Sequence, residues 1–138
     1  MIANPDPESA TPTAKEVFGE LLAEFGAGWE KGDAARMANQ FTPNAVFAPG
    51  AFDTPVRGSE AIARYWRDIP KTQAEIRFRA GEVFVAGPWF ASEFRCTFRR
   101  RRTGEKVEVR GAVFCETESN KISEMRMYFD RATGIGGE

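Results

Sequence analysis

From Glu124 to Asp130, apolar and charged positions alternate almost strictly: Met125, Met127 and Phe129 against Glu124, Arg126 and Asp130, with Tyr128 intermediate. A period of two predicts a half-buried strand over Lys121–Asp130, with Ile122 leading in on the apolar side. Similar runs cover about Glu75–Val85, Trp89–Arg101 and Lys106–Glu116, with Gly87-Pro88, Thr103-Gly104 and Ser119-Asn120 between them as turns. Nearer the N-terminus the period is helical. Thr13 and Glu16 have capping-box spacing, and Val17, Leu21, Leu22, Phe25 and Trp29 then recur on one face. Gly26 and Gly28 either weaken that helix or permit close packing. Lys31-Gly32-Asp33 ends it, and Asp33 is placed to cap a second helix over Ala34–Phe41. A short strand follows over Ala45–Ala48, then a Pro/Gly loop over Pro49–Gly58. Ser59 is placed to cap a third helix through Trp66, which must stop before Pro70. Three helices followed by a four-strand meander make an α+β domain.

Strand parity leaves one choice open. Val107, Val109, Gly111, Val113 and Cys115 share one face of their strand, and Lys106, Glu108, Arg110, Ala112, Phe114 and Glu116 share the other. Only one set can face the helices. Burying the Val set is the simpler arrangement. The opposite choice turns that set outward, where a second subunit must cover it. The neighbouring strand offers Ser92, Phe94, Cys96 and Phe98 against Trp89, Ala91, Glu93, Arg95 and Thr97.

Composition narrows the chemistry. A chain of 138 residues is one domain by length, with 20 acidic and 19 basic side chains and no field that favours nucleic acid. No apolar run is long enough to cross a membrane, and the opening residues lack a secretory h-region, so the expected compartment is the cytoplasm. The two cysteines, Cys96 and Cys115, read as small buried residues in neighbouring strands. The chain has no histidine. That excludes Ser-His-Asp and Cys-His catalysis and His-ligated zinc or iron, and no metal or cofactor is expected. Proton transfer near neutral pH would fall to a shifted Asp, Glu, Tyr, Cys or Lys.

Several segments in this order carry a family resemblance: PTAKEV (12–17), KGD (31–33), F-x-x-NAVF (41–47), GSEAIARYW (58–66) and KISEMRMYFD (121–130). Together they resemble the nuclear transport factor 2-like superfamily, nearest the ketosteroid isomerases and the SnoaL-like polyketide cyclases. The resemblance implies a cone-shaped fold, three N-terminal helices on a curved, mainly antiparallel sheet, spanning residues 12–130 between tails at 1–11 and 131–138. It also implies a pocket inside the cone. Ungapped local matching places the isomerases' oxyanion tyrosine at Phe25, their base at Ala48 and their protonated aspartate at Ala112. Their two supporting tyrosines fall on Phe41 and Trp66. Every acid, base or hydroxyl of that mechanism is thus replaced. Against limonene-type epoxide hydrolases, Arg110 matches the arginine, but the aspartates fall on Ala112 and Met127. The histidine-dependent scytalone-dehydratase branch is excluded.

The same matching turns Arg110, Ala112 and Phe114 into the cone beside Phe94, Cys96, Phe98, Met125, Met127 and Phe129. Phe25, Phe41, Phe47 and Trp66 complete an aromatic, Met-rich wall for a small hydrophobic ligand, neutral or anionic. Val107, Val109, Val113 and Cys115 then become the surface of a homodimer formed through the sheet. Candidate catalytic groups are Arg110, Asp53 on the loop at the rim, Glu116 and Tyr65. Arg110 needs a carboxylate, either a local Glu or a ligand. Asp130 has the wrong parity for the pocket and suits a salt bridge or subunit contact, and Tyr128 an interface. Arg99–Arg102 reads as a solvated basic hairpin tip. The expected activity is binding, or a non-standard isomerase, cyclase or hydrolase reaction. A carrier, a sensor or an accessory subunit is the alternative.

Overall fold

The computed structural model describes residues 11–134; of the expected tails at 1–11 and 131–138, residues 1–10 and 135–138 lie outside the described residues. Helix α1 (Ala14–Lys31) begins at the capping box. Thr13 Oγ1 accepts from the Glu16 N–H at 3.1 Å, and Glu16 Oε1 accepts from the Thr13 N–H at 2.9 Å. It ends at Gly32 in the left-handed conformation, φ 67°. Gly26 lets α1 approach the sheet: a Cβ there would sit 2.3 Å from the Phe78 ring. Close packing is therefore what this glycine provides. Two polar ties pin α1 to the facing strand, Phe78 N–H to Glu30 Oε2 at 2.7 Å and Trp29 Nε1 to Gln73 Oε1 at 3.1 Å.

Helix α2 (Ala34–Ala38) is capped by Asp33 as expected but stops short of Phe41. Phe41 instead opens β1 (Phe41–Ala48), where it is buried and pairs in parallel with Ile122. Tertiary pairing overrides the local helical pattern there. The loop after β1 contains a two-residue strand, β2 (Val56–Arg57). Helix α3 (Ser59–Arg67) starts one residue earlier than expected, with Gly58 at the cap position and Ser59 already helical. A 3₁₀ turn (Ile69–Lys71) carries Pro70. The strand expected over Glu75–Val85 is two strands, β3 (Gln73–Ala80) and β4 (Phe84–Ala86), both antiparallel to β5 (Trp89–Arg100). Strands β6 (Lys106–Glu118) and β7 (Lys121–Thr133) complete the meander, and β7 runs past Asp130.

The sheet order is β2-β1-β7-β6-β5-β3, with β4 also on β5; β1 and β7 are parallel and the other pairs antiparallel. The sheet curves around the helices in the α+β arrangement expected. Register decides the open parity. Val109 lies between Cys96 and Arg131, Val113 between Ser92 and Met127, and Cys115 between Phe90 and Met125. All of these except Arg131 are buried. The Val set therefore faces the helices, and Arg110, Ala112 and Phe114 face outward. The expectation that they enter the cone, and that the Val set forms a dimer surface, is corrected. A one-residue shift in matching flips every side chain of a strand. The physical preference is clear: four apolar side chains leave water, and a guanidinium avoids desolvation.

At the centre of the core Phe25 meets four rings: Trp66 at 5.3 Å, Phe78 at 6.1 Å, and Trp29 and Phe41 at 6.3 Å. Cys96 and Cys115 are free and buried. No helix among the described residues is long and apolar enough to cross a membrane.

Candidate functional site

At the end of the cone beyond Phe25, the aromatic packing leaves a cavity of about 90 Å³. Trp29, Phe47, Tyr65, Trp66, Phe98, Val109, Met127 and Phe129 supply most of its wall, with Pro49, Ile69, Gln73 and Arg131 around them. α1 contributes Trp29, α3 contributes Tyr65 and Trp66, and β7 contributes alternate residues from Met127 to Arg131. Outside lies an open vestibule of about 420 Å³, lined by Lys71, Thr72, Gln73, Phe98, Arg100, Arg102, Thr103 and Arg131. Gln73, Phe98 and Arg131 belong to both walls, so the two spaces adjoin.

The polar groups of the cavity are hydrogen-bond donors above all. Trp66 is only 4% exposed, and its indole N–H has no partner. Such a buried donor costs about 1–3 kcal/mol until an acceptor meets it. Gln73 spends its carbonyl on Trp29, which leaves its amide N–H groups as the donors this side chain can offer. Partial burial raises the Tyr65 hydroxyl pKa above its usual value; the negative charge of Asp53 raises it further and Arg131 opposes both. Tyr65 is therefore a neutral donor at physiological pH. The Arg131 guanidinium lies 5.8 Å from the Phe129 ring centre, an aromatic contact that steadies it at the rim. No Asp or Glu lines the cavity. Among the described residues no group of three His, Cys, Asp or Glu converges as a metal ligand set.

Of the residues expected to contact ligand, Phe47, Trp66, Phe98, Met127 and Phe129 line this cavity. Phe25, Phe41, Phe94, Cys96 and Met125 are inside the sheet but sealed in the core. Ala48 ends β1 and is not part of the cavity wall. Arg110 is on the outer face, where its Nε donates to Glu108 Oε2 at 2.7 Å; Arg95 reaches the same oxygen at 2.5 Å. The two guanidinium groups hold the Glu108 carboxyl below the usual carboxylate range, the Arg110 hydrogen bond most strongly. Glu116 accepts from Ser123 Oγ at 3.1 Å, away from the cone. Asp130 is opposite Arg110 in register on the outer face, and Tyr128 packs on Phe114 at 5.8 Å. The catalytic candidates are thus split. Tyr65 lines the cavity with Asp53 close enough to act on it, while Arg110 and Glu116 are outside. The outer face has a larger open depression of about 750 Å³ around Arg79, Glu93, Arg95, Arg110 and Tyr128. It lacks the enclosure that would strip water from a ligand.

Sequence reasoning missed Trp29, Pro49, Ile69, Gln73 and Val109 as wall residues, and with them the one cation of the wall, Arg131. Its signal was present, because the alternation Met125, Met127, Phe129 places residue 131 on the same face. The hairpin tip was also underrated. Arg101 Nε donates to the Pro70 carbonyl at 2.6 Å, Arg99 pairs with Glu75 at 3.2 Å and Arg100 with Glu105 at 3.1 Å. The tip is therefore docked at the mouth of the cone.

Several solved structures share this architecture. A provisionally named isomerase from Bacillus subtilis is 24% identical, with a TM-score of 0.75, covering 83% of this chain and 87% of that one. SalBIII, an epoxide hydrolase/cyclase-like enzyme of pyran ring formation in the polyether salinomycin, is 19% identical with a TM-score of 0.71, covering 81% and 89%. A provisionally named SnoaL-like polyketide cyclase from Jannaschia sp. CCS1 is 15% identical with a TM-score of 0.74, covering 87% and 90%. At these identities the likeness is one of fold. No curated protein matches the chain by sequence. The family model for the SnoaL-like domain matches residues 22–125, and the chain belongs to that family.

Proposed function

We propose that this SnoaL-like chain binds a small hydrophobic molecule carrying a hydrogen-bond acceptor in the cone between α1, α3 and the sheet. The observation that carries this reading is an enclosed cavity walled by Trp29, Phe47, Trp66, Phe98, Met127 and Phe129, with Tyr65 and Gln73 as its neutral polar side chains. An apolar body displaces water from the wall, and a carbonyl, ether or epoxide oxygen accepts from the Tyr65 hydroxyl or the Gln73 amide. Trp29 and Trp66 are built-in reporters. Titrating the protein with a panel of small aromatic ketones and carboxylic acids should change its tryptophan emission saturably and raise its melting temperature. A flat response across the panel, with a native mass that carries no co-purified molecule, would overturn the reading.

A catalytic second reading is favoured by the Tyr65 hydroxyl, a neutral donor with Asp53 beside it. The Tyr65 hydroxyl would polarise a carbonyl or epoxide oxygen and give it a proton as the substrate's own nucleophile closes on the carbon, and Asp53 would accept the nucleophile's proton at the rim. No carboxylate inside the cone supports a steroid-isomerase type of base. Turnover of a ketone or epoxide that falls with Tyr65→Phe would favour the enzyme; ligand binding with no turnover in such a panel would leave a carrier or sensor. In either reading we place a homodimer on the outer sheet face, through Phe114 and Tyr128, which are each 43% exposed. An accessory role through that face is the variant in which another protein takes the second copy's place.

A further inference from the structure

We propose that the vestibule at the mouth of the cone is an anion subsite, so that the ligand is amphipathic, with an apolar body in the cavity and a carboxylate or phosphate at the rim. This deepens the small-molecule reading and rests on it. Lys71, Arg100, Arg102 and Arg131 converge on the vestibule wall, and no Asp or Glu lines it. The chain as a whole is nearly neutral, so composition alone does not account for this concentration of charge. Arg102 and Arg131 have no carboxylate partner among the described residues. Lys71 and Arg100 pair with Asp68 at 2.9 Å and Glu105 at 3.1 Å, but these pairs are solvent-exposed and hold their partners weakly.

The site is also built to stay in place. The Arg101 side chain donates to the Pro70 carbonyl, and its backbone N–H donates to the Thr72 carbonyl at 2.9 Å, which locks the hairpin tip onto the 3₁₀ turn. Thr103 and the Gln73 amide add neutral donors between the charges. Arg131 joins the two halves, because it lines both cavity and vestibule and rests on Phe129. A guanidinium fork beside an apolar slot suits a planar carboxylate or a phosphate on a short tether.

The test uses matched probes: 4-phenylbutyrate, its uncharged amide 4-phenylbutanamide, and 3-phenylpropyl phosphate, titrated by tryptophan emission at low and high salt. The carboxylate or the phosphate should bind about tenfold more tightly than the amide at low salt, and added salt should erase the difference. Which of the two anions gains more identifies the headgroup. Arg102→Gln should cut the anion's advantage and leave amide affinity unchanged, and Arg131→Gln should weaken the anions by a larger factor than the amide. Inorganic phosphate should compete with the anionic probes and spare the amide. If all three probes bind equally in the unmodified protein, the anion subsite is overturned and the cone reading survives. If none binds, the cone reading falls and the anion subsite falls with it. If the anions keep their advantage in both variants, the charge that selects them lies elsewhere and this assignment is wrong.

Discussion

Single residues here behave according to which face of the sheet they occupy. Cys96 lies inside, on the face opposite to Arg110, so no guanidinium lowers its pKa. Burial pushes its thiol up to about 12, with the charge of Glu30 adding to the effect, and burial raises Cys115 as well. Neither thiol should be alkylated by iodoacetamide at pH 8 in the native protein, and both should react after denaturation; mass spectrometry reads the difference. Glu108 is 7% exposed on the outer face under two guanidinium groups, and its folded-state pKa is depressed from 4.5. A depressed carboxylate stabilises the fold above its unfolded pKa and loses that contribution as pH falls through the folded value. Melting temperature should therefore drop below about pH 4.5 more steeply in the unmodified protein than in Glu108→Gln, measured as a pH series. Equal pH profiles would show that the Glu108 pairing contributes nothing. The pairing of Arg110 with a local Glu was legible in the sequence, because Glu108 is two residues away on the same face. The fate of Arg131 was legible only by continuing the alternation past Asp130.

The elements were read mainly through their caps and turns. The Thr13/Glu16 box, the Asp33 cap and the Thr103-Gly104 and Ser119-Asn120 turns act over a few residues, and the sequence carries them whole. Thr13→Ala should cost about 1 kcal/mol in denaturant unfolding, since it removes the side-chain half of the capping box. Where an element depends on a distant partner, local pattern failed. α2 ends early because Phe41 pairs with Ile122 in β7, and β3 separates from β4 around Gly81, whose N–H donates to the Glu93 carbonyl at 2.8 Å. Gly111 is a further case. A Cβ there would stand 1.9 Å from the Tyr128 carbonyl oxygen, which is backbone and cannot swing away. Gly111→Ala should lower stability by ~2 kcal/mol or more by forcing β6 and β7 apart, while a surface control such as Glu118→Ala should stay within about 0.5 kcal/mol.

At the scale of the whole molecule, one choice of sheet face sets the cavity, the core and the exposed surface together. Val113 and Phe114 are adjacent in sequence and opposite in consequence: Val113 is buried and Phe114 is 43% exposed. Val113→Glu should abolish cooperative thermal unfolding by burying an unpaired charge. Phe114→Glu should leave the fold intact and, if the outer face joins two copies, shift light scattering from dimer toward monomer. A chain that stays dimeric in Phe114→Glu would move the subunit contact off that patch. By itself the sequence determined the α+β class, the caps of the first two helices, the turn positions, and the aromatic and Met content of the inner wall. These are local or compositional properties, and alternation or spacing records them directly. Tertiary structure decided which parity of β6 is buried, because parity is symmetric along an isolated strand and is broken only by what packs on it. It also decided that Arg131 meets the docked Arg99–Arg102 hairpin and Lys71 at one mouth. Those cations come from separate segments of the chain, and only the closure of the sheet around the helices brings them together.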